Sequence, residues 1–403
     1  MSAASNLSIF AFPNRIVFGP GAVHELGNEA KRLRMTRPLL VTDRGVVACG
    51  IAEQVATEAN RAGLAHTVFD GVNPNPVQQN VLDGLERYRE GKCDGIIGLG
   101  GGSPLDTAKA IRLFATHPLP LEQYDDQLNG GDKIGPNMPP MMAIATTSGT
   151  GSEVGRSAVI ILQATDRKTV FFSPYLIPSV ALADPELTLG LPPKITAGTG
   201  LDALTHNIEA YLARGYHPMC DAIALQGTRL AVLHLPRAVQ NGNDLAARTH
   251  MMMAAIMGAV AFQKGLGAVH SLAHPLSSIA GLHHGTTNGI LLPHVLEFNR
   301  MSCEDRLRDL ALAMDLDVWH VSVAEAASAA IARIRQLLKE VCPGPPKRAW
   351  HHARNDSRAG QEGHGGRLPP AQPATLRRSG YGRPLCPGPI TVCKLKFFVR
   401  ARL

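Results

Sequence analysis

The chain has 403 residues, enough for two domains, and its hydrophobic fraction of 45% is enough for a sizeable core. Its formal net charge is +7 at pH 7, but the excess lies at the C-terminus: residues 344–403 hold 12 Lys or Arg and two Asp or Glu, whereas the rest of the chain holds 28 and 31. The charge of the main body therefore gives no reason to expect binding to nucleic acid.

The N-terminal segment lacks the charged start and long apolar run of a signal peptide. The sequence contains no run of about 18 apolar residues, so no transmembrane helix is predicted. The seven cysteines are scattered and show no C-x-x-C spacing. These features predict a cytoplasmic protein with free thiols and no membrane contact.

The first half of the chain alternates strand and helix patterns. Strands are predicted at 37–43, 66–69, 95–99 and 141–147, and helices at 51–62 and 77–90. Residues 158–172 are predicted to form a hairpin whose turn is 166–168. Such alternation predicts a parallel sheet with right-handed crossovers.

From about residue 184 the patterns become helical. Helices are predicted at 197–213, 218–238, 244–264, 268–280 and 304–341. The predicted fold class is therefore an α/β N-terminal domain with a parallel sheet, followed by an all-α C-terminal domain. The boundaries are placed at 1–186 and 187–343.

Two loops rich in glycine and hydroxyl groups follow predicted strands, at 100–103 and 148–153. Residues without Cβ let the backbone approach a phosphate closely, and a following helix N-terminus supplies unpaired N–H groups. A plain glycine-rich turn is the alternative, because GLGGGS departs from the G-x-G-x-x-G fingerprint. Two such loops in one sheet favour phosphate recognition.

Asp43 stands at the end of a predicted strand. An acid in this position fits a ribose 2′-hydroxyl and repels a 2′-phosphate, which favours NAD over NADP. Capping of a helix is the alternative role.

Histidine and aspartate cluster in the second half of the chain. Asp202 and His206 are four residues apart in a helical pattern, as are His270 and His274, and His284 follows. Helical spacing puts each pair on one face of a helix. Their neighbours are apolar, and such side chains are rarely buried unless they are paired or bind a metal. A mixed nitrogen and oxygen set suits Fe, Zn, Ni or Co better than Mg or Ca; a capping or surface pair is the alternative.

Four kinds of segment together resemble the iron-containing (group III) alcohol dehydrogenase family: GGGSPLDTAKAIR at 100–112, TTSGTGSEV at 146–154, DPELTLGLPP at 184–193 and the histidine-containing segments above. The resemblance covers about residues 8–340. It implies a dinucleotide-binding α/β domain and an all-helical domain, as in dehydroquinate synthase-like proteins, with the site in the cleft between them. It also implies a homo-oligomer that transfers hydride between a small alcohol or aldehyde and NAD, with a divalent ion as Lewis acid.

The resemblance assigns roles to individual residues. It implies that Fe²⁺, with Zn²⁺ as the alternative ion, is held by Asp202, His206, His270 and His284. It implies that NAD lies on Asp43, Asn75, Gly101, Gly102, Ser103, Asp106, Thr146, Thr147 and Lys168. It places Phe262 in the substrate cleft. His274 is then the candidate catalytic residue, as a proton relay, with a purely structural hydrogen bond as the alternative; His283 has no implied chemical role.

Residues 344–403 depart from the family. They contain eight Pro and eight Gly without helical period, a composition typical of disorder. We hypothesise that a reading-frame change near residue 343 replaced the family's C-terminus. Two alternatives to the dehydrogenase follow: a non-catalytic or unstable variant with an altered C-terminus, and a metal-assisted lyase of the same fold.

Overall fold

The computed structural model describes residues 12–165 and 167–342, apart from the side chains at positions 278 and 279. The predictions for the tail at 344–403, and for Asp166 as a turn residue, lie outside the described residues.

The strands lie in the first half of the described chain. Their bounds are Arg15–Phe18 (β1), Pro38–Val41 (β2), Thr67–Phe69 (β3), Gly95–Gly100 (β4), Met141–Ala145 (β5), Ser157–Leu162 (β6), Arg167–Phe172 (β7) and Val180–Ala183 (β8). Six of them form one parallel sheet in the order β1-β8-β5-β4-β2-β3, and β6 and β7 form an antiparallel hairpin. The predicted parallel sheet is confirmed, although its short edge strand β1 and its strand β8 were not predicted.

Five helices accompany the strands and seven follow them in the described chain. Those of the first half are Leu26–Arg32 (α1), Arg44–Ala48 (α2), Ile51–Arg61 (α3), Gln78–Glu90 (α4) and Gly102–Phe114 (α5). Those of the second half are Pro193–Leu212 (α6), Pro218–Gln240 (α7), Leu245–Ala261 (α8), Ala268–Ala280 (α9), His284–Asn299 (α10), Glu304–Ala313 (α11) and Val323–Val341 (α12).

The central sheet is buried on both faces. Successive residues of a strand point to opposite faces, so Leu39 packs in the same cluster as Ile111 of α5, whereas Leu40 packs with Val55 of α3. Strands covered on both faces read as continuous apolar runs rather than alternating ones. This explains why β2, β4 and β5 are visible in the sequence.

Helix α6 forms the centre of the second half. It contacts α7, α8 and α10, and most of its residues from Thr196 onward are buried. The stretch Leu245–Lys264, which contains α8, is long and apolar enough to cross a membrane by length and composition. It packs against α6 and α7 here, as a core helix does.

Three details of the second half and the hairpin differ from the sequence prediction. The single helix predicted at 304–341 is two helices, α11 and α12, because Asp315 adopts a left-handed backbone conformation and Ser322 begins α12 with a capping box to Glu325. Helix α10 was not predicted. Lys168, predicted in the hairpin turn, lies in strand β7.

The predicted domain boundary near residue 186 falls between β8 and α6. The two halves pack together there: Ala181 and Ala183 of β8 share an apolar cluster with Met252 and Ile256 of α8. The division into two domains at that residue stays a prediction.

Candidate active site

Three helices of the second half bring the four predicted metal ligands together. Asp202 and His206 lie one turn apart on α6, His270 is in the first turn of α9, and His284 is the first residue of α10. One carboxylate oxygen, Oδ1 of Asp202, is 3.9 Å from Nε2 of His206 and 3.7 Å from Nε2 of each of the other two histidines.

These separations fit a shared cation better than hydrogen bonds. Distances of 3.7–3.9 Å are too long for N–H···O bonds. Four ligand atoms at about 2.1 Å from a tetrahedral ion lie about 3.4 Å from one another, close to what is found. The candidate ligand atoms of Asp202, His206 and His270 lie within 4.8 Å of one another and all three residues are buried. His284 is more open, with 29% of its side chain exposed.

Burial and charge make the four side chains a ready cation site. Burial lowers the pKa of His206 to about 4, so its imidazole is neutral and carries a lone pair at pH 7. Burial alone would raise the pKa of Asp202, but the three imidazoles around it hold that pKa far below its usual range. Burial opposes the charging of His270 as well, but the carboxylates of Asp202 and Glu209 raise its pKa to about 9. Two buried carboxylates thus favour positive charge at this point.

Two residues that the sequence analysis missed belong to this cluster. Glu209 of α6 is 5% exposed, and its Oε2 lies 2.6 Å from Nδ1 of His270. The buried Asn288 of α10 donates from Nδ2 to Oδ1 of Asp202 at 2.8 Å, and the same Nδ2 is 3.1 Å from Nε2 of both His270 and His284. The only signal for them was helical spacing: Glu209 is three residues after His206, and Asn288 is four after His284.

The remaining histidines of the segment lie beside the ligands. The ring of His274 is 5.1 Å from that of His284 and 6.3 Å from that of His270, centroid to centroid. Burial and the neighbouring imidazoles lower the pKa of His274 to about 3, so it is neutral at pH 7. His283 caps α10, because its side chain accepts a hydrogen bond from the backbone N–H of Thr286.

Phe262, predicted in the substrate cleft, follows α8 directly. Its ring centroid is 5.2 Å from that of His206. It also lines a cavity of about 270 Å³, together with Arg156 and Phe172 of the hairpin region, Asp126 and Lys264. Phe262 thus borders both this cavity and a predicted metal ligand, although none of the four predicted ligands lines the cavity itself.

The two glycine-rich loops meet at the carboxyl ends of β4 and β5. A Cβ on Gly101 would lie 3.3 Å from the side chain of Thr147, and one on Gly102 would lie 2.9 Å from that of Thr150. The backbone N–H of Thr146 donates to the carbonyl of Gly100 at 3.0 Å. Ligands of open α/β sheets bind at this edge, next to helix N-termini such as that of α5.

Other predicted cofactor residues surround the same edge. Asn75 is exposed in the loop after β3, and the hydroxyl of Ser103 donates to the carbonyl of Pro74 in that loop at 2.6 Å. Nζ of Lys168 in β7 is 3.4 Å from the hydroxyl of Ser277 on α9. Lys168 therefore contacts the helix that carries His270 and His274.

Two predicted cofactor residues already have structural partners. Asp43 caps α2 by accepting from the backbone N–H of Val46 at 3.0 Å. Both oxygens of Asp106 accept hydrogen bonds within the protein, from the hydroxyl of Ser152 at 2.7 Å and the N–H of Val159 at 3.0 Å. Asp106 therefore ties the second glycine-rich loop to α5 and the hairpin.

Comparison with known proteins identifies the family of this chain. The profile described as "Iron-containing alcohol dehydrogenase" matches residues 13–185, and the profile "Fe-containing alcohol dehydrogenase family, C-terminal" matches residues 196–344. The chain belongs to the iron-containing alcohol dehydrogenase family. It is thus an NAD-dependent oxidoreductase of alcohols and aldehydes, in a family that uses iron or a similar divalent metal.

Several relatives within this family are similar over most of their length. A 4-hydroxybutyrate dehydrogenase of Cupriavidus necator is 47% identical over 305 residues, which are 73% of this chain and 79% of that protein. A 1,3-propanediol dehydrogenase of Citrobacter freundii is 40% identical over 82% of this chain and 86% of its own length. The crystal structure of a 1,3-propanediol oxidoreductase superposes with a TM-score of 0.81 at 38% identity, covering 85% of this chain and 90% of that one.

Proposed function

We propose that Asp202, His206, His270 and His284 hold the divalent ion of this iron-type alcohol dehydrogenase, and that a terminal alcohol is oxidised beside them. The observation that carries the proposal is the convergence of three Nε2 atoms on one oxygen of Asp202 at 3.7–3.9 Å. When bound, the ion supplies Lewis acidity toward a hydroxyl oxygen, and the nicotinamide supplies the hydride acceptor.

The chain's own residues then bind and orient the reactants. The loops at Gly101–Ser103 and Thr146–Thr147 hold the dinucleotide phosphates by backbone N–H groups at the start of α5. Lys168 lies where a dinucleotide on these loops would approach the histidines, and it supports the cofactor from the hairpin side. Asp43 receives a ribose hydroxyl on the oxygen that does not cap α2. His274, neutral and next to His284, accepts or relays the proton that the substrate hydroxyl loses.

We propose as substrate a short primary alcohol that carries a carboxylate at its far end. The 4-hydroxybutyrate dehydrogenase at 47% identity acts on such a compound by its name. The cavity beside Phe262 supports this choice, because it contains Arg156, whose guanidinium lies 5.4 Å from the ring centroid of Phe172. Lys264, which lines the same cavity, is already paired with Asp221. Arg156 is therefore the cation that receives the substrate's carboxylate.

The test is NADH formation at 340 nm with 4-hydroxybutyrate, 1,3-propanediol and ethanol, with metal content measured on the same preparation. We expect turnover that requires metal, and a lower KM for 4-hydroxybutyrate than for the diol. Arg156→Gln should raise the KM for 4-hydroxybutyrate by about 10-fold or more, which is the effect of losing one charge-assisted hydrogen bond. The KM for 1,3-propanediol should stay unchanged. Equal effects on both substrates would contradict the role of Arg156.

The same assay separates the alternatives. A lyase of this fold would form no net NADH from any of these alcohols. A non-catalytic variant would be stabilised by NAD but would show no turnover. Asp202→Ala is the matched control, because it removes a ligand while leaving the nucleotide loops intact. Metal-dependent turnover in Asp202→Ala equal to the wild type would refute the proposed site.

We further propose that the chain is a cytoplasmic homo-oligomer. The five cysteines among the described residues are all free thiols, which supports a reducing compartment. Large apolar side chains at Phe298, Met301 and Trp319 are more than half exposed, as interface residues are in an isolated subunit. Light scattering on the purified protein tests the oligomer, and cell fractionation tests the compartment.

A further inference from the structure

Glu209 is a buried carboxylate that no part of the proposed reaction uses. It lies on α6 one turn beyond His206, and its side chain faces the start of α9. We propose that Glu209 is a positioning residue for His270, which holds that imidazole in the tautomer and orientation needed to bind a divalent cation. The inference rests on the metal site proposed above.

The hydrogen bonds on the two sides of the ring specify one tautomer. An ionised carboxylate only accepts, so Oε2 of Glu209, 2.6 Å away, requires the proton on Nδ1 of His270. On the other side Nε2 faces a donor, Nδ2 of Asn288, at 3.1 Å. In the neutral ring Nε2 therefore presents its lone pair toward Asp202. In the charged ring that the carboxylates of Asp202 and Glu209 favour, the proton that a cation displaces is the one on Nε2. Carboxylates that hold the second nitrogen of a metal-binding histidine act in this way in other metal sites.

The second oxygen of Glu209 holds the backbone that carries the ring. Oε1 accepts from the N–H of Val269 at 2.7 Å, one of the first-turn N–H groups of α9 that have no partner within the helix. This close approach needs a glycine at 267, because a Cβ there would lie 2.6 Å from Oε1. One carboxylate thus fixes both the ring of His270 and the helix start beneath it.

The ring of His206 depends on the rings beside it. Its Nδ1 is buried without a hydrogen-bond partner, and its ring contacts His270 and Phe262, whose centroids are 4.7 and 5.2 Å away. A His270 ring freed by loss of Glu209 would therefore disturb His206 as well. The structure predicts that metal affinity, rather than only stability, depends on Glu209.

Glutamine and alanine at position 209 remove the support of His270 in different ways. Glutamine keeps the shape but has one acceptor oxygen and one NH₂ donor. It cannot accept from Val269 and His270 through separate oxygens. When its NH₂ faces Nδ1, the imidazole proton moves to Nε2 and blocks the cation. Alanine leaves the tautomer free. We therefore expect Glu209→Gln to bind metal no better than Glu209→Ala, although Gln is the closer match in shape.

The experiment is a chelator-competition titration of metal-free protein with Co²⁺, combined with its visible absorption spectrum and thermal melts. Both variants should bind Co²⁺ about 10- to 100-fold more weakly than the wild type, with an altered spectrum. Glu29→Gln is the matched control: Glu29 is also a buried carboxylate, paired with Arg15 and Arg32 far from the histidines, and its loss should leave Co²⁺ affinity unchanged.

Wild-type affinity and an unchanged spectrum in both Glu209 variants would overturn the inference. Should the variants fail to fold, ¹⁵N NMR of the histidine rings in the wild-type protein, recorded above the pKa of His270 so that its ring is neutral, decides: a proton on Nε2 of His270, rather than Nδ1, overturns it. Absence of Co²⁺ binding by the wild type would instead refute the proposed metal site, so the two failures are distinguishable.

Discussion

Gly285→Ala should disrupt the metal site without replacing any of the four proposed ligands. Gly285 follows His284 at the start of α10, where that helix crosses α6. A Cβ at this position would lie 2.1 Å from the backbone carbonyl oxygen of Gly198 and 2.9 Å from Cβ of Asp202. Both atoms belong to α6, and a backbone oxygen cannot rotate away as a side chain can.

The required displacement follows from these distances. Ordinary van der Waals contact begins at 3.4 Å, and the added methyl group would lie 2.1 Å from the carbonyl oxygen of Gly198. The two atoms must therefore move about 1.3 Å further apart. Metal ligands tolerate errors of about 0.2 Å, and His284 is the next residue along the backbone. We therefore expect a loss of about 1–3 kcal/mol in the free energy of unfolding from overpacking, and metal binding weakened at least about 10-fold.

The assay compares metal-free and metal-loaded protein by thermal melt and by chelator competition. Gly190→Ala is the control, because a Cβ there meets no atom within 4 Å, and it should leave both quantities unchanged. If Gly285→Ala binds metal as tightly as the wild type, then α10 does not set the position of His284 in the way these contacts indicate, and the reasoning fails.

Three further predictions concern other parts of the site. Lys168→Met should weaken NAD binding about 10-fold in a fluorescence titration, since it removes a charge-assisted contact in the cleft; unchanged NAD affinity would exclude the contact. His274→Ala should lower kcat by about 100-fold, and unchanged turnover with an intact fold would rule out the proton relay. Burial raises the pKa of Glu153 in the folded protein to about 7 from an ordinary value of 4.5, so its ionisation destabilises the fold progressively from pH 4.5 to 7 and fully above pH 7. The melting temperature of Glu153→Gln, relative to that of the wild type, should therefore rise from pH 5 to pH 8. A constant difference in melting temperature across that range would contradict the buried charge.

Local pattern was sufficient for much of the fold. Strands such as β2 and β4 are continuous apolar runs because the sheet is covered on both faces, and glycine-rich loops follow them where a backbone must come close to a phosphate. Helical spacing alone also places Asp202 and His206 on one face of α6. Each of these features depends on neighbours within a few residues, which is why the sequence alone determined them.

The arrangement of the site depended on contacts between distant segments. The sequence does not reveal that the single predicted helix at 304–341 breaks at Asp315, or that Asp106 uses both oxygens inside the protein. Nor does it reveal that Glu209 reaches His270 across 61 residues, or Asn288 reaches Asp202 across 86. These contacts arise only when α6, α9 and α10 pack together, because side chains far apart in the chain meet through the geometry of packed helices rather than through any local period.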